Sequence, residues 1–306
     1  MYDLIIIGGG PAGVAAGIYA GRKKIKTLII TDSFGGQSIV SAGIENWIGE
    51  KNISGIDLAK KLEEHLRFFE EIEILENYLV LKVEKIDNGF KVFTKNQKIF
   101  ETKYVLVASG SRRKKLNVPG EKEFEGKGVF YCSICDAPLL KNKVAAVIGG
   151  GNAGLEAVLD LLPYASNIYL LEFNDKLKGD EKTQEKIRLN SKVQIIFHAQ
   201  TLEILGNQLV YGLKYRDRLN EKIKELKVDG IFVEIGAIPN SEMVKDLVHI
   251  NNFGEILVDF QTQKTSCPGI WAAGDVTNRF YKQNNIAVGD AIVALLNIND
   301  ELNKNK

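Results

Sequence analysis

Short apolar runs at the start of the chain predict two buried strands with a helix between them. Leu4–Ile7 and Thr27–Ile30 are continuous apolar runs, as expected for strands that are buried on both faces of a sheet. Residues 12–22 lie between these runs, are rich in small side chains and follow a cluster of glycines. The chain therefore opens with a predicted β-α-β unit.

The segment that follows predicts one amphipathic helix and several strands. Apolar residues recur at helical spacing over 58–69, with Lys and Glu between them, which is typical of a surface helix. Alternating residues predict strands over 78–83, 90–94 and 98–100, and a short apolar run over 105–108 predicts a buried strand.

A second β-α-β unit is predicted after a polar linker over 112–128. The strand Val144–Ile148, the helix Leu155–Leu162 and the strand Asn167–Leu171 repeat the order of the first unit. Further strands are predicted over 228–235 and 270–273, a break over 236–240, and a final helix over 286–296. Strands that alternate with helices in this way indicate an α/β fold with two doubly wound halves.

Each unit carries a Gly-x-Gly-x-x-Gly turn between its strand and its helix. The glycines are Gly8, Gly10 and Gly13 in the first unit and Gly149, Gly151 and Gly154 in the second. In such a turn the first glycine permits the sharp bend, the second lets the backbone approach a pyrophosphate, and the third lets helix and strand pack closely. Two turns of this kind predict two dinucleotides, one flavin and one nicotinamide nucleotide.

An acidic residue at the end of the second strand of such a unit meets the adenosine ribose. Glu172 stands there in the second unit, where a carboxylate favours NADH because it repels the 2′-phosphate of NADPH. Phe173 and Asn174 follow it without an arginine, although lysines at 176 and 178 leave that exclusion incomplete. In the first unit the corresponding residue is Asp32, with a solvated turn residue as the alternative interpretation.

Two of the three cysteines are spaced as a redox pair. Cys132 and Cys135 can close a disulfide across a single turn, and the neighbouring Asp136 can move a proton on or off a sulfur. A structural zinc site would need two more ligands, and the three histidines are not close together in sequence. Cys267 has no partner at redox spacing and is interpreted as structural.

Composition restricts the partners and the location. The chain has 306 residues, 40 Lys and Arg against 39 Asp and Glu, and a formal charge of +1, so nothing indicates nucleic acid or an anionic membrane as a partner. The amino terminus lacks the basic region of a signal peptide, and no apolar stretch is long enough to span a bilayer. A cytoplasmic location is predicted.

The ordered motifs resemble those of the low-molecular-weight thioredoxin reductases, the class II pyridine nucleotide-disulfide oxidoreductases. They are residues 8–13, 35–37, 45–49, 132–136, 149–154 and 272–275. Within that family the chain is most similar to the reductase core of the NADH-dependent flavoprotein that serves alkyl hydroperoxide peroxiredoxins, on residues 170–173, 215–218, 233–236, 239–240 and 281–283. Those relatives carry an extra amino-terminal electron-relay module. This chain starts at the flavin-binding strand, so we expect a separate protein as acceptor.

The resemblance implies a fold of two Rossmann-like three-layer dinucleotide-binding domains, the second inserted into the first. Residues 1–114 and 244–306 would bind FAD, and residues 115–243 would bind NAD(P)H and carry the cysteines. The FAD residues implied are Gly8, Gly10, Pro11, Ala12, Gly13, Asp32, Gly36, Gln37, Asn46, Gly110, Gly274, Asp275, Lys282, Gln283 and Asn284. The nicotinamide nucleotide residues implied are Gly149, Gly151, Asn152, Ala153, Gly154, Glu172 and Phe173.

The resemblance also implies an activity. NADH would reduce FAD, FAD would reduce the Cys132–Cys135 disulfide, and the dithiol would reduce a thioredoxin- or glutaredoxin-like protein. Cys135 would lie next to the flavin, Cys132 would attack the partner, Asp136 would be the acid/base, and the protein would be a homodimer. The alternatives are an NADPH-dependent thioredoxin reductase, an FAD-dependent dithiol oxidase, and a redox-silent flavoprotein that senses nucleotide.

Overall fold

The computed structural model describes residues 1–41 and 43–304. The strands are β1 (Tyr2–Gly9), β2 (Thr27–Phe34), β3 (Ile72–Glu76), β4 (Val80–Ile86), β5 (Gly89–Thr94), β6 (Ile99–Val107), β7 (Ser111–Arg113), β8 (Val129–Phe130), β9 (Val144–Ile148), β10 (Asn167–Leu171), β11 (Val193–Ile196), β12 (Ala199–Gly206), β13 (Val210–Asp217), β14 (Lys222–Lys227), β15 (Gly230–Val233), β16 (Ala237–Pro239) and β17 (Ile270–Ala272). The α-helices are α1 (Pro11–Arg22), α2 (Gly55–Arg67), α3 (Ser133–Asp136), α4 (Asn152–Leu161), α5 (Glu181–Arg188) and α6 (Asn284–Lys304).

The chain divides into two compact units, which we call unit 1 and unit 2. Unit 1 comprises Met1–Ile39, Ser54–Arg112 and Ile238–Lys306, and unit 2 comprises Val40–Ile53 and Arg113–Ala237. Segment 40–53, placed in the first domain by the sequence interpretation, groups with unit 2. The other boundaries lie close to the predicted ones at 114–115 and 243–244. Both units are discontinuous in sequence, unit 1 with three segments and unit 2 with two. The insertion of a nucleotide-binding domain into a flavin-binding domain stays a prediction.

The sheet of unit 1 runs in the order β3-β2-β1-β6-β5-β4, with β17 also paired to β6. β1 lies between β2 and β6, both parallel to it, and Ile5 pairs with Leu28 on one side and Val105 on the other. Leu4 and Ile6 contribute to one buried cluster, whereas Ile5 and Ile7 contribute to another. Burial on both faces explains why this strand is a continuous apolar run.

Strand β6 is one element where the sequence pattern predicted two. Its first part pairs antiparallel with β5, and its second part pairs parallel with β1 and β17. The middle residues Glu101 and Lys103 are exposed while Val105–Val107 are buried, so the two halves have different polarity. The alternation of polar and apolar residues alone could not predict that the two halves form one strand.

Unit 2 contains a five-stranded sheet in the order β11-β10-β9-β15-β8 and a three-stranded antiparallel sheet β12-β13-β14. Ala145 and Val147 of β9 pack into the cluster that includes α4, and Ala146 and Ile148 pack into the cluster that includes β12 and β13. The helix, the parallel sheet and the antiparallel sheet thus form three layers. The predicted α/β class with Rossmann-like layers is confirmed.

The last helix is longer than predicted. α6 extends to Lys304 because Ile298 is buried and Leu302 packs against the same core cluster as Leu295, which continues the inward-facing spacing through a polar stretch. Among the described residues, no helix is both long enough and apolar enough to cross a bilayer.

Candidate redox and nucleotide sites

The glycine turn of unit 1 has the geometry of a pyrophosphate cradle. Gly8 has φ +118°, and a Cβ there would overlap the Ala108 carbonyl at the end of β6. A Cβ on Gly13 would overlap the Gly8 carbonyl oxygen, so this glycine permits the close approach of α1 to the turn. A Cβ on Gly10 would instead come no nearer than 3.8 Å to another residue. The middle glycine therefore keeps space open at the start of α1.

A cavity of about 660 Å³ opens in front of this turn within unit 1. The predicted FAD residues that line it are Gly8, Gly10, Pro11, Ala12, Asp32, Gly36, Gln37, Gly110, Gly274, Asp275 and Asn284. Gly10 caps α1 without a side-chain hydrogen bond, so the first-turn N–H groups can serve an anion. Ser38 donates a hydrogen bond of 2.9 Å to the Asn284 side chain, which fixes one rim of the cavity.

Four of the predicted FAD residues are not among those lining the cavity. Gly13 packs against Gly8, and Asn46 belongs to unit 2. Lys282 donates to the carbonyl oxygens of Asp275 and Thr277 and forms an ion pair of 2.9 Å with Glu255. Gln283 accepts the Ala287 N–H at the start of α6. Lys282 thus stabilises the turn that carries Asp275. Contact with FAD stays a prediction for these four residues, as it does for the residues that line the cavity.

The cavity also has a wall that the sequence analysis missed. Asn240 pairs with Ser109 through two hydrogen bonds, Ser109 Oγ to Asn240 O at 2.6 Å and Asn240 Nδ2 to Ser109 O at 2.9 Å. Arg112 donates to Asn240 Oδ1 and to Glu242, each at 2.7 Å. These residues join the end of β6 to the segment after β16. The Pro239-Asn240 motif was noted in the sequence, but a pairing between residues 131 positions apart gives no local signal.

The glycine turn of unit 2 repeats the geometry of the first. Gly149 has φ +117°, and a Cβ there would overlap the Glu234 carbonyl oxygen. A Cβ on Gly154 would overlap the Gly149 carbonyl oxygen, whereas one on Gly151 would meet nothing within 4 Å. A cavity of about 680 Å³ lies here, lined by the predicted residues Gly149, Gly151, Asn152, Ala153, Glu172 and Phe173. Gly154 is not among the residues that line this cavity and packs against Gly149 instead.

Glu172 has a structural role in addition to the predicted one. The residue is only 5% exposed. Its Oε2 accepts the Gly150 N–H at 2.7 Å, and its Oε1 accepts the Asn174 N–H at 2.8 Å and the Asn174 side chain at 2.6 Å. The carboxylate therefore joins the glycine turn to the end of β10. An ionised carboxylate has about four acceptor positions, so one remains for a ribose hydroxyl.

The two predicted redox cysteines form a disulfide in unit 2. Cys132 precedes the short helix α3, Cys135 lies within it, and their Cα atoms are 5.4 Å apart. Ile134, which lies between them in sequence, is exposed. Both cysteines are themselves partly exposed.

Asp136 is buried directly after the disulfide. It is 3% exposed, and its Oδ1 has no hydrogen-bond partner within the described part of the chain. Burial raises the pKa of Asp136 to about 7, because the charged form is poorly solvated there. Such a carboxyl holds a proton near neutral pH, as an acid/base next to sulfur requires.

Two further acids near the disulfide were not predicted. Ser133 donates a hydrogen bond of 2.7 Å to Asp160 of α4, and burial raises the pKa of Asp160 despite this hydrogen bond. Burial also raises the pKa of Glu234 to about 7; nearby Asp160, Glu156 and Asp136 add to this shift, and Arg113 opposes it. This cluster of acids could not be predicted from a local sequence pattern, because its members come from α3, α4 and the segment after β15.

Cys267 is a free, buried cysteine in unit 1. Burial raises the pKa of its thiol, which disfavours the reactive thiolate. This environment supports the interpretation of Cys267 as a structural residue.

Two glycine turns that each face a cavity, together with a Cys-x-x-Cys disulfide, are the features of a dinucleotide-dependent disulfide oxidoreductase. The cavities are open at the middle glycine and at an uncapped helix start in both units, so the residues present fit two dinucleotides. The sequence profile of the pyridine nucleotide-disulphide oxidoreductases matches residues 2–291. The chain belongs to this family, and the family implies FAD and a nicotinamide nucleotide as cofactors.

The chain is similar in fold to a thioredoxin reductase from Streptococcus pyogenes, with a TM-score of 0.92, 33% identity and 99% of each chain covered. It is also 41% identical over 304 residues to a NADH dehydrogenase from Ferdinandcohnia aciditolerans and to a component of the alkyl hydroperoxide reductase of Staphylococcus aureus. These matches cover 99% of this chain but 58% and 60% of those proteins. The chain thus spans about three fifths of the length of these curated relatives. The predicted family and the flavoprotein oxidoreductase class are confirmed.

Proposed function

We propose that the protein uses NADH to reduce the Cys132–Cys135 disulfide and then passes the electrons to a separate thioredoxin- or glutaredoxin-like protein. The observation that carries this proposal is the disulfide itself, which lies beside the exposed Ile134 and is followed by the buried Asp136. FAD, when bound, supplies the two-electron relay between the nicotinamide and the disulfide. The likeness to thioredoxin reductases over the whole chain supports the same chemistry.

In this proposal unit 1 binds FAD and unit 2 binds the nicotinamide nucleotide. Unit 1 offers the turn at 8–13, the uncapped start of α1 and the wall of Ser109 and Asn240. Unit 2 offers the turn at 149–154 and Glu172. The disulfide also lies in unit 2, so the unit that binds the nicotinamide nucleotide carries the group that passes electrons to the partner.

Glu172 supports NADH as the donor. Its carboxylate lies at the end of β10 and is held in place by three hydrogen bonds from Gly150 and Asn174. A fixed carboxylate at this position accepts hydrogen bonds from ribose hydroxyls and repels a 2′-phosphate. The name of the Ferdinandcohnia relative, a NADH dehydrogenase, points to the same nucleotide.

The proton balance assigns a role to Asp136. Reduction of a disulfide by NADH forms NAD⁺ and two thiols, so one proton must be taken up in addition to the hydride. Asp136, with a pKa of about 7, can deliver that proton to a sulfur and take up another from solvent, while the two protons of the dithiol pass to the partner in the exchange. Cys132 attacks the disulfide of the partner, and Cys135 then closes the internal disulfide and releases the reduced partner.

Steady-state assays test the proposal. Thioredoxins and glutaredoxin-like proteins from the same genome are supplied as acceptors, with NADH and NADPH in parallel and with and without FAD. We expect turnover with at least one acceptor and a preference for NADH. Oxygen consumption with a dithiol and no nicotinamide would indicate a dithiol oxidase instead, and a thiol titre that NADH leaves unchanged would indicate a redox-silent protein.

The resemblance to thioredoxin reductases further supports a homodimer in the cytoplasm. Sedimentation of the FAD-loaded protein tests the dimer, and fractionation of cells tests the location.

A further inference from the structure

Phe173 is an exposed aromatic residue at the rim of the unit 2 cavity. It follows Glu172, lines the cavity and is 47% exposed. An aromatic ring at this position can offer one face to a planar group that is bound in the cavity. The position of the ring beside Glu172 places it next to the carboxylate that meets the adenosine ribose.

Arg218 holds this ring from a distant part of the sequence. Its guanidinium carbon lies 3.9 Å from the centroid of the Phe173 ring, and its Nη1 donates a hydrogen bond of 3.0 Å to the Phe173 carbonyl oxygen. The guanidinium thus lies over one face of the ring and also hydrogen-bonds the backbone of the same residue, a combination for which arginine, with several fixed donors, is better suited than lysine.

The backbone around Arg218 is tied to the same loop. The Arg218 N–H donates to the His198 carbonyl oxygen at 2.9 Å, and the His198 N–H donates to the Asn174 carbonyl oxygen at 3.0 Å. The N–H of Ala199 donates to the Glu172 carbonyl oxygen at 2.9 Å. These three hydrogen bonds connect the turn after β13 to the residues that follow β10, so Arg218 and Phe173 are positioned together.

The acids of the turn pair with other cations. Asp217 forms an ion pair of 2.9 Å with Lys224, and Glu221 lies 3.6 Å from Arg216. The Arg218 side chain instead contacts Phe173, through both the ring and the carbonyl group.

We propose that Phe173 and Arg218 form the adenine-binding wall of the nucleotide site, with Arg218 as a positioning residue that acts through the ring. The inference rests on the proposed function, because it takes unit 2 as the site of a nicotinamide dinucleotide. Arg218 covers one face of the Phe173 ring, and the adenine base stacks on the ring from the cavity side. The arginine holds the ring in the orientation that the base requires.

Binding of nucleotide fragments to the FAD-loaded protein tests this proposal by calorimetry. The probes are ADP-ribose, which contains adenine, and nicotinamide mononucleotide, which does not. Stacking of a base on an aromatic side chain contributes about 1–3 kcal/mol, so Phe173→Ala should raise the Kd for ADP-ribose roughly tenfold. Arg218→Gln and Arg218→Lys should each raise it by a smaller factor, about threefold or more. Nicotinamide mononucleotide should bind all variants as it binds the parent protein.

A double variant and a matched control complete the design. Because Arg218 acts through Phe173, adding Arg218→Gln to Phe173→Ala should weaken ADP-ribose binding no further. Arg216→Gln, an arginine near the same turn paired with Glu221, should leave both probes unaffected. In turnover, Arg218→Gln should raise the KM for NADH and leave kcat unchanged, since the nicotinamide end is untouched.

Each contrary result has a distinct meaning. The 2′-phosphorylated form of ADP-ribose is titrated as a third probe. If Arg218→Gln weakens the binding of this probe alone, Arg218 binds a phosphate and the proposal is wrong. Equal weakening of nicotinamide mononucleotide would show a general disturbance of unit 2, which also overturns it. If the parent protein binds ADP-ribose but reduces no disulfide, the proposed function fails while the adenine wall stands. If the parent binds no ADP-ribose at all, both fail.

Discussion

The hydroxyl group of Ser133, between the two cysteines, donates a hydrogen bond of 2.7 Å to Oδ2 of Asp160 in α4. α4 is the helix that starts at the second glycine turn. This hydrogen bond therefore joins the redox turn directly to the element that forms the nucleotide cradle.

Replacement of Ser133 by Ala should loosen the redox turn. The half-buried Asp160 carboxylate would lose its donor, and an unsatisfied partner of a charged hydrogen bond costs about 1–3 kcal/mol. We expect the free energy of unfolding in urea to fall by about 1–3 kcal/mol. Ile134→Ala, which truncates the exposed neighbour, is the control. Equal losses in both variants would show that the hydrogen bond has no special role.

The buried Asp136 should make stability depend on pH in a definite direction. Its pKa is raised from 3.8 to about 7, so between these values the folded protein binds a proton that the unfolded chain has released. Stability therefore falls as pH rises through this window. A pKa difference of this size corresponds to an upper limit of roughly 4 kcal/mol.

Asp136→Asn removes this cost together with the acid/base group. In urea unfolding of the oxidised protein, we expect the variant to be more stable than the parent at pH 8, by roughly 2–4 kcal/mol, and to show no gain at pH 4. Turnover with a disulfide acceptor should fall strongly. Asp87→Asn, in the exposed turn between β4 and β5, serves as control. A gain that is the same at both pH values would contradict the assignment.

The middle and last glycines of each turn should respond differently to alanine. Gly151 faces open space at φ −85°, so Gly151→Ala should fold normally and lose nucleotide affinity because the methyl group occupies the phosphate position. Gly154→Ala would place its Cβ against the Gly149 carbonyl and should lower the melting temperature. Melting curves and ADP-ribose titration separate the two effects. The pair Gly10→Ala and Gly13→Ala should repeat the pattern in unit 1, with FAD retention as the measurement.

The two cysteines should differ in their ability to trap a partner. If Cys132 is the attacking thiol, Cys135→Ser leaves a mixed disulfide that no second thiol can resolve. We expect the trapped complex on a non-reducing gel with Cys135→Ser and only background with Cys132→Ser. Trapping by Cys132→Ser alone would reverse the assignment of the two sulfurs.

Features carried by adjacent residues could be predicted from the sequence. The glycine turns depend on three glycines within six positions, and the disulfide depends on two cysteines three positions apart, so both leave a local pattern. The strand β14 (Lys222–Lys227) left no local pattern in the sequence, because its residues are almost all exposed and show no apolar alternation. Its place is decided by pairing with β13.

Contacts that depend on the fold could not be predicted. Asp160 was interpreted only as part of a helix, and Arg218 only as part of a motif of resemblance. Their roles appear once α4 lies next to α3 and the turn after β13 lies over Phe173. Likewise Glu172 was predicted as a ribose acceptor, but its hydrogen bond to Gly150 requires the ends of β9 and β10 to be adjacent.

This double role of Glu172 leads to the last prediction. Glu172→Ala removes the repulsion of a 2′-phosphate and should narrow the preference for NADH over NADPH. It also leaves the buried N–H of Gly150 without its acceptor, at a cost of about 1–3 kcal/mol in unfolding free energy. Glu172→Gln keeps an acceptor oxygen without the charge, so it should narrow the nucleotide preference with a smaller loss of stability. Ratios of kcat/KM for the two nucleotides, measured together with urea unfolding, distinguish the effect of the charge on nucleotide preference from the effect of the lost hydrogen bond on stability. An NADH/NADPH ratio that neither variant changes would show that nucleotide selection lies elsewhere.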